Sequence, residues 1–169
     1  MNWKTFEKAA PELARAADKA FADAGVILLG TIRKDGSPRI SPVEFSYHDE
    51  ELCFGGIWHS FKALDLLRDP RCTIHNLIQD KYASGGEVKL HGKAVDLVPD
   101  KKARQKWADA IRKTSGMDLR GRKFHLFSFD VESGGLFTAE GDARVLKVWR
   151  AGRGMTERRQ TMDECAPLD

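Results

Sequence analysis

Residues 30–76 read GTIRKDGSPRISPVEFSYHDEELCFGGIWHSFKALDLLRDPRCTIHN, and the punctuation of this stretch decides the architecture. It is entered from Val26-Ile27-Leu28-Leu29, apolar on both faces as a buried strand is. Lys34-Asp35-Gly36-Ser37 carries the Asp-Gly pair of a tight hairpin, so 26–32 and 38–47 are predicted as paired strands. Pro42 puts the second of these at an edge or a bulge. His48-Asp49-Glu50-Glu51 is another turn and Leu52-Cys53-Phe54-Gly55 a third strand, completing an antiparallel meander. In 58–71, WHSFKALDLLRDPR, Ser60 takes the N-cap position of a short helix. Phe61, Leu64 and Leu67 share its apolar face, and it stops before Pro70.

Upstream, Trp3, Phe6, Ala10, Leu13, Ala17, Ala20 and Phe21 recur at helical steps, with Pro11 predicting two helices or a kink. Downstream, 72–77 is a short strand and 79–86 a loop. Residues 87–97 alternate, but the apolar phase slips after Gly92, which predicts a β-bulge at a barrel corner. Asp100 caps a helix over 101–114. Strands follow over 124–131, 136–138 and 144–149. Helices and strands do not alternate as in a parallel sheet. The expected fold is α+β: one mostly antiparallel, closed or nearly closed barrel over 1–150, with a helical segment at 1–23 and further peripheral helices. Residues 151–169, where Arg153, Arg158 and Arg159 lie among glycines and polar residues, are expected to form a basic and partly disordered tail.

The bulk properties exclude several classes. Twenty-eight basic against 25 acidic residues leave a net charge of +3, too little to argue for nucleic acid. No apolar run approaches a membrane span, and MNWKTFEKAAPEL lacks the apolar stretch of a secretory signal, so a cytoplasmic protein is expected. Cys53, Cys72 and Cys165 show no metal-ligand or disulfide spacing; the first two read as small core residues. No metal site is expected.

No nucleophile motif, no glycine-rich phosphate loop and no paired carboxylates stand out, so no catalytic residue is named. His75, His91 and His125 fall in strands and read as structural. What remains is PRISPV beside WHSFKA. Arg39, Ser60, Lys62 and the free N–H groups at the helix start would surround one anion, and such a set suits phosphate. The same residues also read as an ordinary cap and two solvated charges.

The stretch as a whole resembles the pyridoxamine 5′-phosphate oxidase-like FMN-binding split barrels. The likeness lies in the order apolar strand, "(R/K)xDGxPR" hairpin, strand, turn, strand, "SxKAxxLxxDPR". It covers roughly residues 26–97. The resemblance implies a six-stranded split barrel, paired as a homodimer with a flavin at each subunit interface and a small-molecule substrate. It implies that Arg39, Ser60 and Lys62 bind the FMN phosphate, that the backbone of Ile40, Ser41, Pro42 and Val43 borders the isoalloxazine ring, and that Trp58 or His59 contacts the ribityl chain or ring. The departures are Phe61 and Glu44, where true oxidases carry cations, and the ending VWRAGRGMTERR in place of their RLxP terminus. Pyridoxamine phosphate oxidation is therefore not expected. The activity implied is hydride transfer between FMN and another small organic molecule. The alternatives are a reductase using the deazaflavin coenzyme F-420 and a non-catalytic flavin or haem carrier.

Overall fold

The computed structural model describes residues 1–78, 80 and 85–161. Two helices open the chain, α1 (Trp3–Ala9) and α2 (Pro11–Ala24). Asn2 caps α1 by accepting from the Thr5 N–H at 2.9 Å. Ala10 leaves helical geometry, and Pro11 restarts the helix where its missing N–H is not needed. Gly25, at φ 70°, ends α2 in the left-handed conformation that a glycine adopts without strain.

The strands are β1 (Ile27–Ile32), β2 (Pro38–Val43), β3 (Phe45–His48) and β4 (Glu51–Ile57), then helix α3 (Phe61–Arg68). β5 (Arg71–His75), β6 (Glu87–Asp96), helix α4 (Lys101–Ser115), β7 (Phe124–Glu140), β8 (Ala143–Arg150) and β9 (Gly154–Thr161) complete the described residues. Every pairing is antiparallel, in the order β2-β1-β5-β6-β7-β4-β3, with β8 added to β7 and β9 to β8. β2 and β3 are the two ends of this path, yet Glu44 alone separates them in the chain. The sheet therefore curls until its edges meet at that residue, and the barrel stays split between β2 and β4.

Two expectations change here. The strand predicted over 38–47 breaks at Glu44: PRISPV pairs with β1 and FSYH with β4, so the second and third predicted strands do not form one meander. Val43 and Phe45 both turn toward the core, one on each wall, and the corner between them leaves Glu44 at the opening. The second change concerns the basic tail. Residues 154–161 form β9, in register with the whole of β8. The free edge of β8 needs hydrogen-bond partners, and backbone supplies them with no apolar alternation to announce the strand, Met155 being its one apolar side chain. Arg159 of β9 pairs with Glu140 of β7 at 2.6 Å, reaching across β8. Residues 162–169, with Cys165, and 79 and 81–84 of the predicted loop lie outside the described residues.

A bulge does fall opposite His91 and Gly92, but its extra residue is Glu132 of β7, since His91 pairs with Ser133 and Gly92 with Val131. β6 itself keeps its phase, with Val88, Leu90, Gly92 and Ala94 inward and Val95 exposed, so the expected slip does not occur. A Cβ at Gly92 would collide with the Asp130 carbonyl oxygen. Inside the barrel Leu29, Leu52, Phe54, Ile74, Leu90 and Phe129 are fully buried, and Phe6, Leu13 and Phe21 of α1 and α2 close one end. Each such side chain contributes about 1.5–3 kcal/mol of burial. A smaller cluster of Cys53, Trp107, Ile111, Phe124 and Leu126 lies beneath α4. No described helix is long and apolar enough to cross a membrane.

Candidate functional site

Alternation along β2 sorts the predicted residues onto two faces. Arg39, Ser41 and Val43 turn inward; Pro38, Ile40 and Pro42 are exposed. Ile40 and Arg39 therefore lie on opposite faces of β2, though both border one cavity.

Arg39 reaches α3. Its Nε donates to Asp65 Oδ2 at 2.8 Å, and its guanidinium lies over the Phe61 ring, 5.2 Å from the centroid. Asp65 is only 4% exposed. It also accepts from the Thr31 hydroxyl at 3.0 Å and faces Arg68 Nη2 at 3.4 Å. Burial opposes ionisation of this carboxyl, but the hydrogen bonds from Arg39 and Thr31 outweigh it and hold the group below the usual carboxylate range.

α3 also departs from its predicted orientation. The buried face is Ala63, Asp65 and Leu66, whereas Phe61, Leu64 and Leu67 face outward, Phe61 at 73% exposure. The contacts of Asp65 with Thr31 and Arg39 turn the helix away from its apolar stripe.

Ser60 occupies the N-cap position, but its side chain makes no capping bond. Its Oγ is buried and has no hydrogen-bond partner. A Cβ on Gly56 would lie 3.2 Å from this Oγ and 3.8 Å from Lys62 Cε, so Gly56 keeps open a space flanked by the two residues. Pro42, Val43, Glu44, Gly55, Gly56 and Lys62 form one wall of a cavity of ≈ 510 Å³ at the barrel's split. Trp107 of α4 and Met117, Leu119, Arg122, Lys123 and Phe124 form the other. Lys62, Arg122 and Lys123 bring three cations to this cavity against the single carboxylate of Glu44. A larger cavity, ≈ 700 Å³, is lined by Leu28, Gly30, Thr31, Arg39, Ile40 and His91 among others, so Arg39 borders this cavity and Lys62 the smaller one.

Trp58 and His59 go elsewhere. The Trp58 indole stacks on the His125 imidazole, with centroids 4.3 Å apart and planes at 7°, and His59 stacks on Trp58 at 4.8 Å. His125 is 3% exposed, and neither ring nitrogen has a partner. Burial pushes its pKa below the ordinary 6.5 and keeps it neutral.

The residues that sequence reasoning missed are Gly55, Gly56, Asp65, Trp107, Arg122 and Lys123. The Gly-Gly pair before a capped helix was a legible signal of close approach; a Cβ on Gly55 would sit 2.7 Å from the Trp107 ring. Asp65, between two leucines of an amphipathic helix, gave none.

Residues 13–136 match the family model described as pyridoxamine 5′-phosphate oxidase. The chain belongs to this family. Solved structures agree on the fold. A pyridoxamine 5′-phosphate oxidase-related, FMN-binding protein from Nostoc punctiforme PCC 73102 superposes with a TM-score of 0.63 at 17% identity, over 90% of this chain and 96% of that one. The haem storage protein HutZ of Vibrio cholerae gives 0.60 at 18%, over 77% and 94%. PhzG of Burkholderia lata 383, solved with tetrahydrophenazine-1-carboxylic acid, gives 0.59 at 16%, over 90% and 93%. No curated protein matches the chain. The fold is the α+β split barrel of the family.

Proposed function

We propose that this member of the family is a flavin-dependent oxidoreductase that takes FMN at the split of the barrel and moves a hydride between it and a small organic substrate. The observation that carries the reading is the Ser60 hydroxyl, buried and unpartnered at the N-terminus of α3. A phosphate there would accept from Ser60 and from the first N–H groups of the helix, which no side chain caps, while Lys62 supplies charge. The residues present fit the group: Gly56 leaves the room, and Arg39 stands on the adjoining strand.

Bound FMN would supply a hydride acceptor and donor at its N5. The protein's part is placement. The backbone of residues 40–43 would border the ring, with Pro42 and Val43 at the cavity wall. Trp107, Leu119 and Phe124 line the opposite side with apolar surface that excludes water. Glu44 and Phe61 make the site less cationic than one built for a second phosphate, which argues against a phosphorylated amine as substrate.

The working unit in this reading is a homodimer. Ile40 is 72%, Ile57 79% and Phe61 73% exposed, and Leu64 and Leu67 add to them, more apolar surface on β2, β4 and α3 than a lone protomer carries without use.

The test is the visible spectrum of the purified protein, followed by titrations with FMN, coenzyme F-420 and haemin. FMN binding in the micromolar range or tighter is expected. A preference for F-420 replaces the cofactor, and haemin binding without flavin binding replaces the function with that of a carrier. Failure of FMN and F-420 to bind tighter than about millimolar overturns the reading.

A further inference from the structure

The ion cluster beneath α3 does more than pin a helix. Asp65 already has a guanidinium from its own helix, Arg68, and a hydroxyl from β1, Thr31. Arg39 comes to it from the sheet edge and engages through Nε alone, while the guanidinium face rests on Phe61. A guanidinium held at Nε and supported on its face keeps its two Nη groups aimed as a fork, and a fork is the shape that recognises phosphate oxygens in pairs. Among the described residues neither Nη of Arg39 has a hydrogen-bond partner. The fork stands beside the residue that follows Ser60 in the chain.

We propose that Asp65 is a positioning residue for the cofactor phosphate: it sets the Arg39 guanidinium, against the Phe61 ring, at the start of α3. The proposal rests on the FMN reading above. It also gives Phe61 a purpose. Where true oxidases carry a second cation at this place, this chain has an aromatic platform under the first. One oriented guanidinium then serves instead of two mobile charges, and its ordering is complete before the ligand arrives.

The experiment compares FMN with riboflavin, which lacks the phosphate, by quenching of flavin fluorescence in the full chain. Wild type should bind FMN more tightly than riboflavin. Arg39→Met and Asp65→Asn should each weaken FMN about tenfold, the scale of one charge-assisted bond, and leave riboflavin unchanged. The double variant should bind FMN no more weakly than Arg39→Met alone. Wild-type FMN affinity in Asp65→Asn overturns the proposal, as does an equal loss for both flavins, which marks a purely structural role. If Arg39→Met weakens FMN while Asp65→Asn does not, positioning fails and the phosphate reading stands. If wild type shows no preference for FMN, the phosphate reading fails and the proposal with it. Should Asp65→Asn not fold, the Arg39 Hε proton of the flavin-free wild type decides: a slowly exchanging resonance supports the clamp, and an exchange-averaged one overturns it.

Discussion

Lys62 and His125 illustrate two fates of a polar side chain near the opening. Lys62 lines the cavity, and the unpartnered Ser60 hydroxyl is buried nearby. Lys62→Met is expected to weaken FMN about tenfold and leave riboflavin unaffected, measured by fluorescence titration. His125 is sealed between Trp58 and the barrel core, neutral because burial penalises its charged form. The unfolded chain protonates this residue near 6.5 while the folded one does not, so folding stability falls as pH drops through and below that value. His48 and His91, also lowered by burial, act in the same sense. His125→Phe should flatten the dependence of Tm on pH between about 5 and 7 and leave the share of the other two. An unchanged slope would show that His125 already meets solvent in the folded protein.

At the scale of elements, the packing of α4 on β4 shapes the cavity. Gly55 is the point of closest approach, because the Trp107 ring occupies the place of a side chain. Gly55→Ala should destabilise the fold by about 1–3 kcal/mol in urea denaturation, the range for overpacking a close contact. Trp107→Leu in the same chain should recover part of that loss, since it removes the atoms that the new methyl meets. Recovery without restored flavin binding would assign Trp107 to the cavity as well as to the helix contact. The turn of α3 belongs to the same scale. Asp65 faces Thr31 and Arg39, and the stripe of Phe61, Leu64 and Leu67 is left outside.

For the whole molecule, that outward stripe and the exposed Ile40 bear on assembly. Light scattering behind size exclusion should report twice the mass of one chain. Ile40→Asp should lower it toward one chain with an unchanged far-UV spectrum, because a carboxylate on a closed apolar face is desolvated without a partner. Flavin affinity should fall in the same variant if the cofactor lies between subunits. A monomeric wild type would leave the exposed apolar residues to another partner.

The α+β class, the kink at Pro11 and the hairpin at Asp35-Gly36 were legible in the sequence, whereas the bulge lies on β7, opposite the Gly92 expected to carry it. Each local feature depends on a residue with unusual backbone chemistry, Pro11 because its φ is fixed and Gly36 because it reaches a positive φ without strain. The family was legible because turn and cap residues recur there at specific spacings. The break at Glu44, the strand over 154–161 and the inward turn of Asp65 were not. They depend on which wall of the barrel a segment reaches and which edge lacks a partner, and neither is a property of the segment itself. Ser60 and Lys62 could be named from the helix they begin. That the Ser60 hydroxyl is buried without a partner, and that Arg39 bonds to Asp65, was decided only when the curled sheet brought β1, β2 and α3 together.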